Sequence, residues 1–152
     1  MNPSRSMART LPARLAVLTV TVYVAMTSLL RAQQPFGFEF RVNTYTTGTQ
    51  RFGSIAGSMN YLFVVTWESA GQDGSQYGVF GQRYNGWSGG PEGSEFRVNT
   101  YTTSDQSLPQ AAADQGGNFV VVWQSNGQDG DGPGVFGQRY AGDGPPMAES
   151  SA

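Results

Sequence analysis

Two loops put a carboxylate directly before a glycine: Gly71-Gln72-Asp73-Gly74 and Gly127-Gln128-Asp129-Gly130. In a tight loop such a carboxylate can aim its own and nearby backbone oxygens at a hard cation, and calcium takes about six to eight oxygens. The second loop is better supplied. Asp129 and Asp131 stand two residues apart in DGDGPG, where the first loop has Ser75 in place of the second acid. Asp73, Asp129 and Asp131 are therefore the candidate metal ligands, with calcium the cofactor they could take and no cofactor required. A simpler chemistry fits the same residues. Asp73 or Asp129 can bond backbone amides of a hairpin loop while the following glycine supplies a positive φ.

Other reactive groups are few. The chain has no histidine and no cysteine, and all nine of its basic side chains are arginine. This removes histidine-assisted nucleophiles, thiolates, lysine Schiff bases and histidine-bearing metal sites. Carboxylate chemistry survives, but a glycosidase needs two acids at a set separation. The most suggestive acid, Glu68, becomes Gln124 in the corresponding second segment, so we expect no enzyme. Arg83 and Arg139 each sit between Gln and Tyr, where a guanidinium can bridge strands, satisfy loop carbonyls or hold a carboxylate ligand. Tyr45, Tyr77, Trp87 and Tyr101, mixed with Asn, Gln and Thr, could form a stacking platform for sugar rings, although most such residues are packing or edge cover.

The elements that must position these groups are set by an internal repeat. EFRVNTYTT begins at Glu39 and again at Glu95, GQDG at Gly71 and Gly127, and GVFGQRY at Gly78 and Gly134, all offset by 56 residues. Over positions 39–86 and their partners at 95–142, 28 of 48 ungapped pairs are identical. Apolar residues within the unit recur with the two-residue period of strands. Four short strands are predicted per unit, around Phe38 to Asn43, Ser54 to Ser58, Tyr61 to Glu68 and Gly78 to Tyr84. The third is apolar on both faces, as an interior strand is.

The predicted fold class is all-β: two tandem four-stranded propeller-like blades, preceded by a helical signal segment. A two-sheet β-sandwich is the alternative. Trp67 and Trp123, with Phe63, Phe119, Arg83, Arg139, Tyr84 and Tyr140, are the recurrent positions expected to hold blade to blade. Closed propellers need about four to eight blades, and this sequence encodes two units. Self-association or pairing with other β-repeat chains is therefore expected.

Arg5, Arg9 and Arg14 precede an apolar run from Leu15 to Leu30 and a polar RAQQ, the layout of a secretory signal. The sixteen-residue run is short for a bilayer span, which wants about 20 residues. Residues 1–32 read as a signal peptide, or an uncleaved anchor, which would be the chain's sole membrane contact. Residues 33–37 read as a linker, 38–93 and 94–142 as the two units, and 143–152 as a disordered tail. Beyond residue 32, five arginines face eleven carboxylates, a formal charge of −6, so a nucleic-acid partner is not expected.

The recurring EF-x-VN-T, FVV-x-W and QDG…GVFGQRY blocks resemble the tandem repeat of many large secreted or surface-exposed bacterial proteins, often found beside hemolysin-type calcium-binding modules. The resemblance covers residues 39 to 140. It implies a propeller-like repeat exported to the periplasm, cell surface or medium, acting as a calcium-stabilised interaction or adhesion module with a protein or glycan ligand. This chain lacks the glycine-rich calcium nonapeptides of those relatives and has few copies. A carbohydrate-binding or carbohydrate-active protein is the competing expectation, and a truncated remnant of a longer repeat protein a third.

Overall fold

The computed structural model describes residues 35 and 37–142. The chain divides into two compact units, Met1–Phe40 and Arg41–Ala152. The expected signal segment at 1–32 and tail at 143–152 lie outside the described residues, as does most of the 33–37 linker.

The second unit is all-β. Strands β1 (Gln50–Gly57), β2 (Leu62–Ala70), β3 (Tyr77–Asn85) and β4 (Pro91–Arg97) form one sheet in chain order, and β5 (Gln106–Ala113), β6 (Phe119–Asn126) and β7 (Pro133–Tyr140) form a second. All neighbours are antiparallel. The β2–β3 register, with Trp67 opposite Phe80 and Phe63 opposite Tyr84, returns in β6–β7 as Trp123 opposite Phe136 and Phe119 opposite Tyr140.

Local chemistry explains each joint. After β2 the chain reverses through GQDGSQ, where the Gly71 amide donates to the Gln76 carbonyl at 2.7 Å and Gly71 takes φ 73. After β6, Gly127 repeats this with the Gly132 carbonyl at 2.7 Å and φ 77. Glycine adopts that backbone without a Cβ clash. β1 and β5 each carry a bulge, between Arg51 and Ser54 and between Ser107 and Gln110. Phe52 and Leu108 hold φ 53 and 54 there, a left-handed conformation that costs a non-glycine residue roughly 1–2 kcal/mol. The bulge shifts the register on the two first strands alike.

The sheets meet through one apolar core. Ala56, Val64, Val79 and Val98 from the first sheet side pack with Phe119, Val121, Trp123 and Tyr140. Phe96 of β4 reaches into this cluster, its ring 5.3 Å from Tyr140 and 6.3 Å from Phe119. Phe119 stacks on Tyr140 at 4.7 Å, and Phe63 on Tyr84 at 5.1 Å. The contact is also stitched by polar groups, since the Ala111 amide donates to Ser54 Oγ at 3.1 Å.

Two expectations about the strands need correction. The segment predicted as a strand at Phe38 to Asn43 holds no strand among its described residues. Its counterpart 56 residues on does form one, β4, but as the outer strand of the first sheet rather than the first strand of the second. The reason is edge chemistry: β3 offers unpaired backbone groups immediately before this segment in the chain, and antiparallel return onto them is the short route. The second sheet consequently has three strands among the described residues, not four.

Candidate functional site

The structure assigns the conspicuous side chains mostly to holding the fold. Asp73 Oδ1 accepts the Ser75 amide at 3.2 Å and its Oδ2 accepts Asn99 Nδ2 at 3.2 Å. Asp129 Oδ1 accepts the Asp131 amide at 3.4 Å. Both carboxylates thus close their own loops. Among the described residues no three acidic side chains gather at a point that could hold a metal.

Glu68 is fully buried and doubly engaged. Its Oε1 accepts Arg51 Nε at 2.5 Å, and its Oε2 accepts the Leu108 amide of β5 at 3.1 Å. The hydrogen bond that Arg51 donates to Glu68 raises the guanidinium pKa above its ordinary value. Arg51 also lies over the Tyr77 ring at 4.4 Å, a cation–π contact. Arg83 Nη1 donates to the Gly142 carbonyl at 2.8 Å, while Arg139 is exposed.

Trp67 and Trp123 are buried, and their Nε1 atoms meet no hydrogen-bond partner among the described residues. The aromatic platform does not gather as a foursome. Trp87 stands exposed with Tyr61 edge-on at 6.0 Å, and Tyr101 donates its hydroxyl to the Gly127 carbonyl at 3.4 Å. Burial pushes the Tyr140 hydroxyl up to about 12 and also raises Tyr84, which lies near Glu95. Asp114 is held below its ordinary value by hydrogen bonds from Asn118.

Two polar hubs escaped the sequence reading. Asn99 is buried; its Oδ1 accepts the Val79 amide at 2.7 Å, and its Nδ2 donates to the Tyr101 carbonyl at 2.8 Å and to Gln106 Oε1 at 3.3 Å. Glu95 Oε2 accepts the Thr44 amide at 2.6 Å and the Thr44 hydroxyl at 2.9 Å, and its Oε1 accepts Gln72 Nε2 at 2.5 Å. The signal available was that both residues belong to the EFRVNT block present twice.

The surface feature with most chemistry left over is β7. GVFGQRY is identical in β3 and β7, yet Val79 is 0% exposed and Val135 is 81% exposed. Among the described residues β3 lies between β2 and β4, while β7 pairs with β6 alone. An edge strand of this kind displays a row of backbone donors and acceptors that templates pairing. No family model matches this chain, and no curated protein or solved structure is detectably similar to it.

Proposed function

We propose that this is an exported, non-enzymatic β-repeat protein that serves as an interaction or adhesion module, its two sheets being propeller-like blades. The supporting observation is the contrast between twin strands: the surface buried on β3 is displayed on β7. Strand addition at such an edge gives affinity through main-chain bonds and specificity through alternate side chains. Self-association, or pairing with other β-repeat chains, is the interaction this surface suits. The repeat's resemblance to secreted and surface bacterial proteins supports the same reading, and the Arg-rich apolar leader supports export to periplasm, surface or medium. Calcium, at Asp129 and Asp131, would steady the β6–β7 loop beside that edge.

The test is the mass of the full chain in mild detergent, by detergent-corrected light scattering across a concentration series, with calcium and with chelator. The expected result is a mass above one chain that rises with concentration. A single-chain mass throughout, indifferent to calcium, would remove the module reading.

One observation favours a second reading. Exposed Trp87 with Tyr61 edge-on is the kind of aromatic pair on which a sugar ring stacks, which supports carbohydrate binding. A glycan array read with the parent chain and with Trp87→Ala separates the readings. Binding lost in the variant supports carbohydrate recognition, and a blank array removes it.

A further inference from the structure

We infer that the cleft between the two sheets at Arg83 binds a small aliphatic monocarboxylate, with its carboxylate on the Arg83 guanidinium and its alkyl group on the apolar floor. The site is separate from the β7 edge and from the Trp87–Tyr61 pair, and it rests on neither reading of them. It lies at the end of the sheets where β1 and β5 finish and β2 and β6 begin. Ala56, Val64, Ala113 and Phe119 line it, together with Arg83 and Gly142. All six belong to the unit Arg41–Ala152.

The guanidinium is fixed in place but little used. Arg83 Nη1 donates to the Gly142 carbonyl at 2.8 Å, the one hydrogen bond this guanidinium makes among the described residues. Its acceptor is itself clamped: the Gly142 amide donates to Asn118 Oδ1 at 3.2 Å, and a Cβ on Gly142 would stand 2.9 Å from the Gly117 carbonyl oxygen. Because Gly142 also lines the cleft, this bond puts the charged end of Arg83, and not merely its stem, at the wall. Arginine carries five N–H donors in a rigid fork that matches a carboxylate, so most of them are still to be satisfied. A part-buried cation is costly without an anion, yet the ion pair found among the described residues is Arg51 with Glu68, not one at Arg83. Two acids stand close by in the fold and neither takes this role. Glu92 lies opposite Arg83 in the β3–β4 register but is exposed, and Asp114 gives both of its oxygens to Asn118.

The lining selects the ligand. The enclosed volume is about 10 Å³, room for one water-sized group. A methyl or methylene therefore enters, and the rest of the ligand lies across the mouth. A carboxylate has an apolar side to lay on Ala56, Val64 and Phe119, whereas a phosphate or sulfate would turn unbonded oxygens onto them at a cost in desolvation. A single positive charge also matches a single negative one. The second unit does not repeat the site. Ser58 and Leu62, which line the cleft, become Asp114 and Asn118 at the corresponding positions, and Arg139 is exposed.

The test titrates the full chain in mild detergent with sodium propionate at constant ionic strength, with sodium chloride and sodium phosphate as controls. Nuclear magnetic resonance follows the backbone amides and the arginine Nε groups. Propionate should shift the Gly117 and Gly142 amides and Arg83 Nε along one saturable curve, with a Kd of about 1–10 mM, the range open to so small a ligand. Arg83→Met should weaken binding by roughly tenfold or more, as loss of a charged hydrogen-bond donor does. Arg83→Lys keeps the charge without the fork and should weaken it less. Ala113→Leu fills the cleft with Arg83 intact; it should weaken binding as much as Arg83→Met and serves where the Arg83 variants do not fold. Shifts that never saturate, a response confined to other arginines, or binding unchanged in both Arg83→Met and Ala113→Leu overturns the inference. Phosphate binding as tight as propionate overturns it too, because the site would then read charge and not a carboxylate.

Discussion

Gly81→Ala should damage the protein and Gly137→Ala should not, although the two glycines sit in identical heptapeptides. At Gly81 the added methyl would lie 2.9, 3.2 and 3.4 Å from three atoms of the Phe96 ring. That ring cannot simply swing aside, because Tyr140 at 5.3 Å and Phe119 at 6.3 Å flank it. Overpacking of this kind costs roughly 1–3 kcal/mol. Replacing glycine within a strand returns about 0.5–1 kcal/mol of backbone entropy, which leaves a net loss of up to about 2.5 kcal/mol, centred near 1 kcal/mol. For a domain of this size each kcal/mol lowers Tm by about 4–8 °C. At Gly137 the nearest atom is Val122 Cγ1 at 3.2 Å, the end of a half-exposed side chain that can yield, so the change should stay within about 0.5 kcal/mol. The assay is thermal unfolding of the full-length variants by circular dichroism at low concentration. Adding Phe96→Leu to Gly81→Ala should recover part of the loss, a coupling that a double-mutant cycle resolves. Equal melting temperatures for the two alanine variants would refute the seat described for Phe96.

Three further outcomes are expected. Glu68→Leu should destabilise by about 1–3 kcal/mol, by removing the charged acceptor of both the part-buried Leu108 amide and Arg51, and Glu68→Gln by less because an amide oxygen can still accept; chemical denaturation of the two variants measures the difference. Asn99→Ala should cost more than Asn43→Ala, because Asn99 also binds the Val79 amide and Asp73 while Asn43 binds the Tyr45 carbonyl and Gln50; paired melts decide. Tyr140 keeps its proton in the folded chain to about 12 against an ordinary 10.0. The unfolded chain therefore binds fewer protons between those values, so the stabilisation is complete below the lower value and is lost as pH rises through the upper. Ultraviolet titration and denaturation at alkaline pH should show this loss, and Tyr140→Phe should lessen it.

The all-β character was legible because β3 and its partner show the two-residue period of strands, β2 and β6 are short runs apolar on both faces, and no helical stripe is sustained. The phase of the repeat was not. A 56-residue period shows how often a unit returns but not which strand closes which sheet, and β4 joins the sheet before it because β3 offers the nearest open edge. The bulges at Phe52 and Leu108 were equally hidden, since neither residue type favours a positive φ; only the register reveals them. At the site, Asp73 and Asp129 stood out by their spacing, whereas Asn99 and Glu95 looked like ordinary polar residues of a strand. Their importance comes from groups far off in sequence, the Val79 amide and Thr44. Glu68 drew notice as a lone acid, and burial turned it into a brace between Arg51 and β5.

Residue-resolved amide hydrogen exchange at Val135, followed in the full chain as its concentration is raised, tests the central claim most directly. In dilute solution this outward amide should exchange quickly, and with rising concentration it should slow toward the rate of Val79, whose amide is held by Asn99. A Val135 rate that stays fast and independent of concentration would contradict the account.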